Sequence, residues 1–268
     1  MPGRDSRENL IGATLALFFA FTIAGGVEFA IRSYEEASYR LAPSIHKAYA
    51  YGNAYFNAPY GRSYDIGRAE RWFEKTLQQD PEHALAHHQL ARVFFLRGMY
   101  SRALYEINRS IALQSEPLPS SYYVRGLILG YMSRYSTAAE DFERFLAVHP
   151  SNWSAQNDYA WVLLKAGRIA EAAAVVKTGL TYTPRSPWLL NTAAVALYEL
   201  GDYPLALERA KAAREAADLL TEREWLLAYP GNNPKAAKEG LTTLQESARS
   251  NVHVIENALA GGQGTIVP

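Results

Sequence analysis

Three histidines stand close together at His83, His87 and His88, with Asp80 and Glu82 just before them. His83 and His87 are four apart, a spacing that puts two imidazoles on one helix face and could hold a metal ion. Pro81 marks a helix start here, however, and no distant ligand completes a set, so a solvated helix N-terminus is the expected role. The chain has no cysteine, which removes disulfides, thiolate zinc sites, iron–sulfur clusters and a thiol nucleophile. Nucleophile elbows, phosphate-binding loops and dinucleotide fingerprints are also missing. Gly25-Gly26 belongs to an apolar stretch and Gly261-Gly262-Gln263-Gly264 to a tail, and neither opens a helix after a strand. Asn108-Arg109-Ser110 and Asn152-Trp153-Ser154 match glycosylation acceptors, a pattern that recurs by chance. The reading is therefore no enzyme, no cofactor and no metal.

What remains is recognition chemistry, and it depends on the elements that carry it. A small residue recurs with another twelve positions later, an apolar residue four after that and a terminator eight further on. The copies read Ala91, Ala103, Ile107, Ser115; Gly126, Ala138, Phe142, Pro150; Ala160, Ala172, Val176, Pro184; and Ala194, Ala206, Ala210, Asp218. An earlier copy supplies Ala69, Phe73 and Pro81. The second small residues stand at 69, 103, 138, 172 and 206, spaced by 34, 35, 34 and 34. Tight bends fall at Gly98-Met99-Tyr100, Gly167-Arg168-Ile169 and Gly201-Asp202-Tyr203, with Ser133-Arg134-Tyr135 in the remaining copy. Each copy thus predicts two amphipathic helices, with small residues where they cross and proline ending the second. A single pair cannot bury its apolar stripe, so the pairs must stack.

Over about residues 44–218 this pattern resembles the tetratricopeptide repeat family. The resemblance implies a curved array of about five pairs whose first helices line a concave groove. Carried over by register, the groove positions are His88, Arg92 and Phe95; Tyr123 and Tyr131; Asn157 and Trp161; and Trp188, Asn191 and Tyr198. Aromatic and arginine side chains are frequent binding hot spots, and asparagine amides can pair with an extended peptide backbone. The implied partner is a peptide segment or helix of one or more proteins. The competing readings are that several of these aromatics simply pack between repeats, or that the chain's own C-terminal helix fills the groove. The basic clamp with which one subgroup of the family holds chaperone C-termini has no counterpart: the matching positions read His88, Arg92, Val124, Ser154 and Asp158.

Lys+Arg and Asp+Glu are both 27, a balance that argues against nucleic acid as a partner. Leu10–Val27 is an 18-residue run without charge, and a helix of that length covers roughly 27 Å, close to a bilayer core. It reads as a transmembrane anchor, the alternative being a signal peptide cut near Thr22-Ile23-Ala24. Gly12, Ala16, Ala20 and Ala24 form a small-residue stripe on it, continued by Glu28, which could pack against a second membrane helix. Arg4 and Arg7 precede it while Arg32, Arg40 and Lys47 follow, a near balance; the short leading tail favours an array outside the cytoplasm. Seven of the 18 tyrosines lie between Tyr34 and Tyr64, as an interfacial belt or a docking surface.

The expected protein is all-α: tail and membrane helix over 1–32, linker over 33–43, a solenoid of about five helix pairs over 44–218, capping helices over 219–260 and a free tail over 261–268. A single-pass membrane scaffold for protein–protein interaction is the expected role. The alternatives are a permanent subunit of a large membrane assembly, or a secreted binding protein if the leader is removed.

Overall fold

The computed structural model describes residues 25–56, 64–228, 233–262 and 264–267. All the regular elements among them are helical. Helix α1 spans 25–41. Five antiparallel pairs follow: α2 (Ile45–Phe56) with α3 (Ile66–Gln79), α4 (Ala84–Leu96) with α5 (Tyr100–Ala112), α6 (Pro119–Tyr131) with α7 (Tyr135–Val148), α8 (Trp153–Lys165) with α9 (Ile169–Tyr182), and α10 (Pro187–Glu199) with α11 (Tyr203–Asp218). The short α12 (Glu222–Ala228), a 3₁₀ turn at Pro234–Ala236 and the long α13 (Ala237–Leu259) complete the order.

The small residues sit where the helices cross. Ala91, Ala103, Ala138, Ala160, Ala172, Ala194 and Ala206 are fully buried. At Gly126 an added Cβ would lie 3.1 Å from the Phe142 ring and 3.3 Å from the Ala138 carbonyl oxygen, so even alanine would press the two backbones apart. The bends depend on a left-handed residue. Gly98, Gly167 and Gly201 have φ between 71° and 80°, and the amide three residues beyond the helix returns to it, as in Met99 N–H to the Phe94 carbonyl at 2.8 Å. In the third pair Ser133 takes this conformation with φ of 59°, the lone non-glycine residue to do so among those described.

Three of the first helices, α4, α8 and α10, start on side-chain caps. His83 Nδ1 accepts the Ala86 amide at 3.1 Å, Asn152 Oδ1 the Ala155 amide at 2.9 Å and Ser186 Oγ the Leu189 amide at 3.4 Å. Buried apolar side chains gather in three groups along the array. The last joins Ala194, Val195, Ala206 and Ala210 to Val252, Ile255 and Ile266, so the C-terminal segment belongs to the core of the fifth pair.

The membrane reading is corrected. Among the described residues no helix is long and apolar enough to cross a membrane. The transmembrane component of the expected fold, and with it the single-pass placement outside the cytoplasm, is therefore withdrawn. Most of the apolar run, including Gly12, Ala16, Ala20 and Ala24, lies outside the described residues. Where the chain becomes described, it is amphipathic and committed to protein contacts. Helix α1 carries Glu28, Arg32, Glu35, Glu36 and Arg40. Glu28 pairs with Arg32, and Glu35, 2% exposed, accepts the Tyr55 hydroxyl at 2.6 Å. Glu36 meets Lys75 at 2.8 Å, and Tyr39 packs edge-on against Trp72 at 5.3 Å. The tyrosines between Tyr34 and Tyr64 are largely used in this way: Tyr39, Tyr49, Tyr51 and Tyr64 pack on the first core group, of which Tyr55 is a member.

Candidate peptide-binding cleft

The curvature of the array leaves a cleft of about 870 Å³ between the inner faces of α4, α6, α8 and α10 and a wall made by α12 and α13. It brings together nine of the ten groove positions read from the sequence. His88, Arg92 and Phe95 form one end, Tyr123 and Tyr131 follow, then Asn157 and Trp161, and Trp188 and Asn191 reach the other end. Tyr198 is not on its surface; its hydroxyl donates to the Gly264 carbonyl at 3.1 Å.

The basic end is built on buried groups. His88 is 9% exposed, and its Nδ1 lies 3.0 Å from Ser121 Oγ on the next first helix. Burial, helped by the Arg92 charge, pushes its pKa down to about 4, so the ring is neutral near pH 7. The Arg92 guanidinium lies over the Phe56 ring at 4.6 Å and donates to Gln89 Oε1 at 2.8 Å. Gln89 in turn donates to Asn53 Oδ1 at 2.7 Å. The other two histidines of the cluster serve elsewhere. His83 is the cap described above. His87 lies between Glu106 Oε2 at 2.5 Å and the Pro81 carbonyl at 3.0 Å. Burial opposes its charge, but the carboxylate and carbonyl outweigh it and the pKa ends raised.

The middle is an aromatic surface. Phe95 meets Tyr131 edge-on at 5.2 Å, and Tyr131 lies against Trp161 at 5.4 Å. Tyr131 stays 53% exposed, so its ring is offered to the cleft while neighbours fix its orientation. Trp161 is held close to α6 because position 130 is glycine: a Cβ there would be 3.0 Å from the indole. On the opposite wall Trp225 rests directly on Gly240, where a Cβ would be 2.0 Å from the ring.

A polar seam runs behind these rings. Positions 88, 123, 157 and 191 are equivalent in successive first helices, and side chains at or near them tie each helix to the next. Asn53 joins Gln89 and His88 joins Ser121. The Tyr123 hydroxyl donates to Asp158 at 2.6 Å, and the Thr192 hydroxyl to Asn157 at 2.9 Å. Asn251 of α13 continues the seam, donating to Asn191 Oδ1 at 2.9 Å. The register list does not contain Asn251, Trp225 or Val267. The available signal for Asn251 is one amide between Ala248 and Val252 on an otherwise apolar stripe.

With this geometry in view, the comparisons with known proteins are specific about the fold. Residues 123–187 match the tetratricopeptide repeat family model. YrrB, described as a tetratricopeptide protein with an unusual peptide-binding site, superposes with a TM-score of 0.57 at 16% identity, over 68% of this chain and 91% of its own. The fold is that of a tetratricopeptide array. Two MamA structures agree: MSR-1 at 0.55 and 20% identity, over 69% of this chain and 98% of its own, and AMB-1 at 0.55 and 19%, over 66% and 93%. No curated protein matches the chain in sequence. The pairing of a concave face with a capping helix follows from the stacking described above.

Proposed function

We propose that the cleft is the docking site for a segment of a partner protein, and that the chain works as a scaffold for assembling or stabilising a protein complex. The observation that carries this reading is the cleft itself: about 870 Å³, walled on one side by four successive first helices and on the other by α12 and α13. It offers exposed Tyr131 and half-buried Trp161 and Trp188 beside Asn157 and Asn191. Rigid aromatic rings supply contact area at small entropic cost, and amides read peptide backbone. His88, Arg92, Phe95 and Tyr123 extend the same surface at its basic end. YrrB, with a similar fold, is described as having a peptide-binding site, which supports the same use of a groove here.

The test is native affinity purification with mass spectrometry, comparing the full chain with a Tyr131→Ala/Trp161→Ala double variant of confirmed helical content. Loss of a reproducible partner in the variant is expected. Equal recovery of the same partners from both would overturn the reading.

A further inference from the structure

The seam at the far end of the cleft already holds a peptide. Gly261, at φ of 84°, turns the chain back at the end of α13, and the Gly262 amide bonds to the Asn257 carbonyl at 2.8 Å. Residues 264–267 then run without helical structure. The contacts that hold their main chain come from side chains. Asn251 Oδ1 accepts the Val267 amide at 2.8 Å while its Nδ2 donates to the Val267 carbonyl at 2.5 Å. Asn191 Nδ2 reaches the same carbonyl at 3.5 Å, and Tyr198 donates to the Gly264 carbonyl at 3.1 Å. Asn251 is fully buried, so its amide depends on those main-chain groups for satisfaction.

The side chains of this segment follow a pattern. Ile266 is 8% exposed and lies among Ala194, Val195, Ala206, Ala210, Val252 and Ile255. Gly264 passes so near α13 that a Cβ would meet Val254 at 3.0 Å. Val267 is 45% exposed and forms part of the cleft wall. A main chain gripped by side-chain amides, with one β-branched residue in an apolar socket, is how a receptor holds an extended ligand.

We propose that Asn251, Asn191 and Tyr198 form a strand-recognition site of which Gly264–Val267 is the resident occupant. The partner segment it fits is an extended strand of the pattern glycine–any–isoleucine or valine–any, which enters by displacing the resident. This rests on the docking function proposed for the cleft and adds the chemistry of what docks. Such a competitor lowers the apparent affinity of the cleft by the fraction of time that it occupies the site.

The probe is a labelled peptide GQGTIVP, the sequence of residues 262–268, titrated by fluorescence anisotropy against full-length proteins. Ile266→Asp, which places a charge in the apolar socket, is expected to bind the peptide at least about tenfold more tightly than the unaltered chain. Adding Asn251→Ala to Ile266→Asp is expected to abolish the gain. Val267→Pro, which removes one amide while leaving Ile266 in place, should give a smaller gain and serves where Ile266→Asp unfolds. Equal affinity of the unaltered chain and both tail variants, no binding by any of them, or a gain indifferent to Asn251→Ala would overturn the proposal. If the peptide fails while Tyr131→Ala/Trp161→Ala still loses its partner, this inference falls and the docking function stands.

Discussion

The two ends of the cleft are built from opposite chemistry. At one end a guanidinium and a neutral imidazole are set into the wall, Arg92 over Phe56 and His88 against Ser121. At the other end the polar groups are uncharged amides, Asn191 and Asn251, closed around the chain's own Val267. Buried ionisable groups make stability depend on pH, whereas buried amides depend only on whether their hydrogen bonds are complete. One end should therefore respond to acid and the other to loss of its strand.

The largest expected effect tests that contrast directly. His88 is held near a pKa of about 4 in the folded chain, against about 6.5 when unfolded. Between these values the unfolded state binds more protons, so its contribution to stability is present above pH 6.5 and is lost as pH falls towards 4. The loss is on the order of 3 kcal/mol. Urea unfolding at pH 7.5 and 4.5 should show a smaller difference for His88→Gln than for the unaltered chain. His87 has a raised pKa and contributes in the opposite sense, its stabilisation being full below pH 6.5 and fading as pH rises through its folded value. An unchanged pH response in His88→Gln would erase the distinction between the ends.

Next in size is the amide end. Asn251→Leu leaves the Val267 amide and carbonyl without their main partner and should cost about 2 kcal/mol, equally at both pH values. A cost that varies with pH would break the comparison. Smaller again is Gly240→Ala. The added methyl would overlap Trp225, so the indole must leave its place on α13, at a cost of about 1 kcal/mol. The expected readout is a red shift of tryptophan emission with little change in helical content. The smallest effect, and the only gain, belongs to Ser133→Gly. It relieves a left-handed non-glycine residue midway along the array and should stabilise by roughly 0.5 kcal/mol, the relief being partly offset by the freedom glycine adds to the unfolded chain. Because it lies at neither end, it should leave the pH response of His88 untouched.

The sequence was legible where physics repeats itself. A period of 34 located five helix pairs because the pairs solve the same crossing problem with Ala69, Ala103, Ala138, Ala172 and Ala206, and three of them the same bend with Gly98, Gly167 and Gly201. The register then placed His88, Arg92, Phe95, Tyr123, Tyr131, Asn157, Trp161, Trp188 and Asn191 on one cleft. Features that occur once were not legible. Asn251 reads as a break in an apolar stripe, and nothing in the spacing of Gly264, Ile266 and Val267 signals that they are docked. Hydropathy at the N-terminus measured composition alone. It carried no information about Glu35 and Tyr39 of α1, which face Tyr55 and Trp72.

The seam also has a consequence for the identity of each repeat. Its links differ in kind: amide with amide, imidazole with hydroxyl, phenol with carboxylate, hydroxyl with amide. Helix pairs that share one shape are therefore not interchangeable parts. Excising the third pair, for example, would set Ala155 where Ser121 now meets His88. The links act as addresses, favouring one serial order of units and penalising both a slip by one unit and the exchange of units between two copies of the chain.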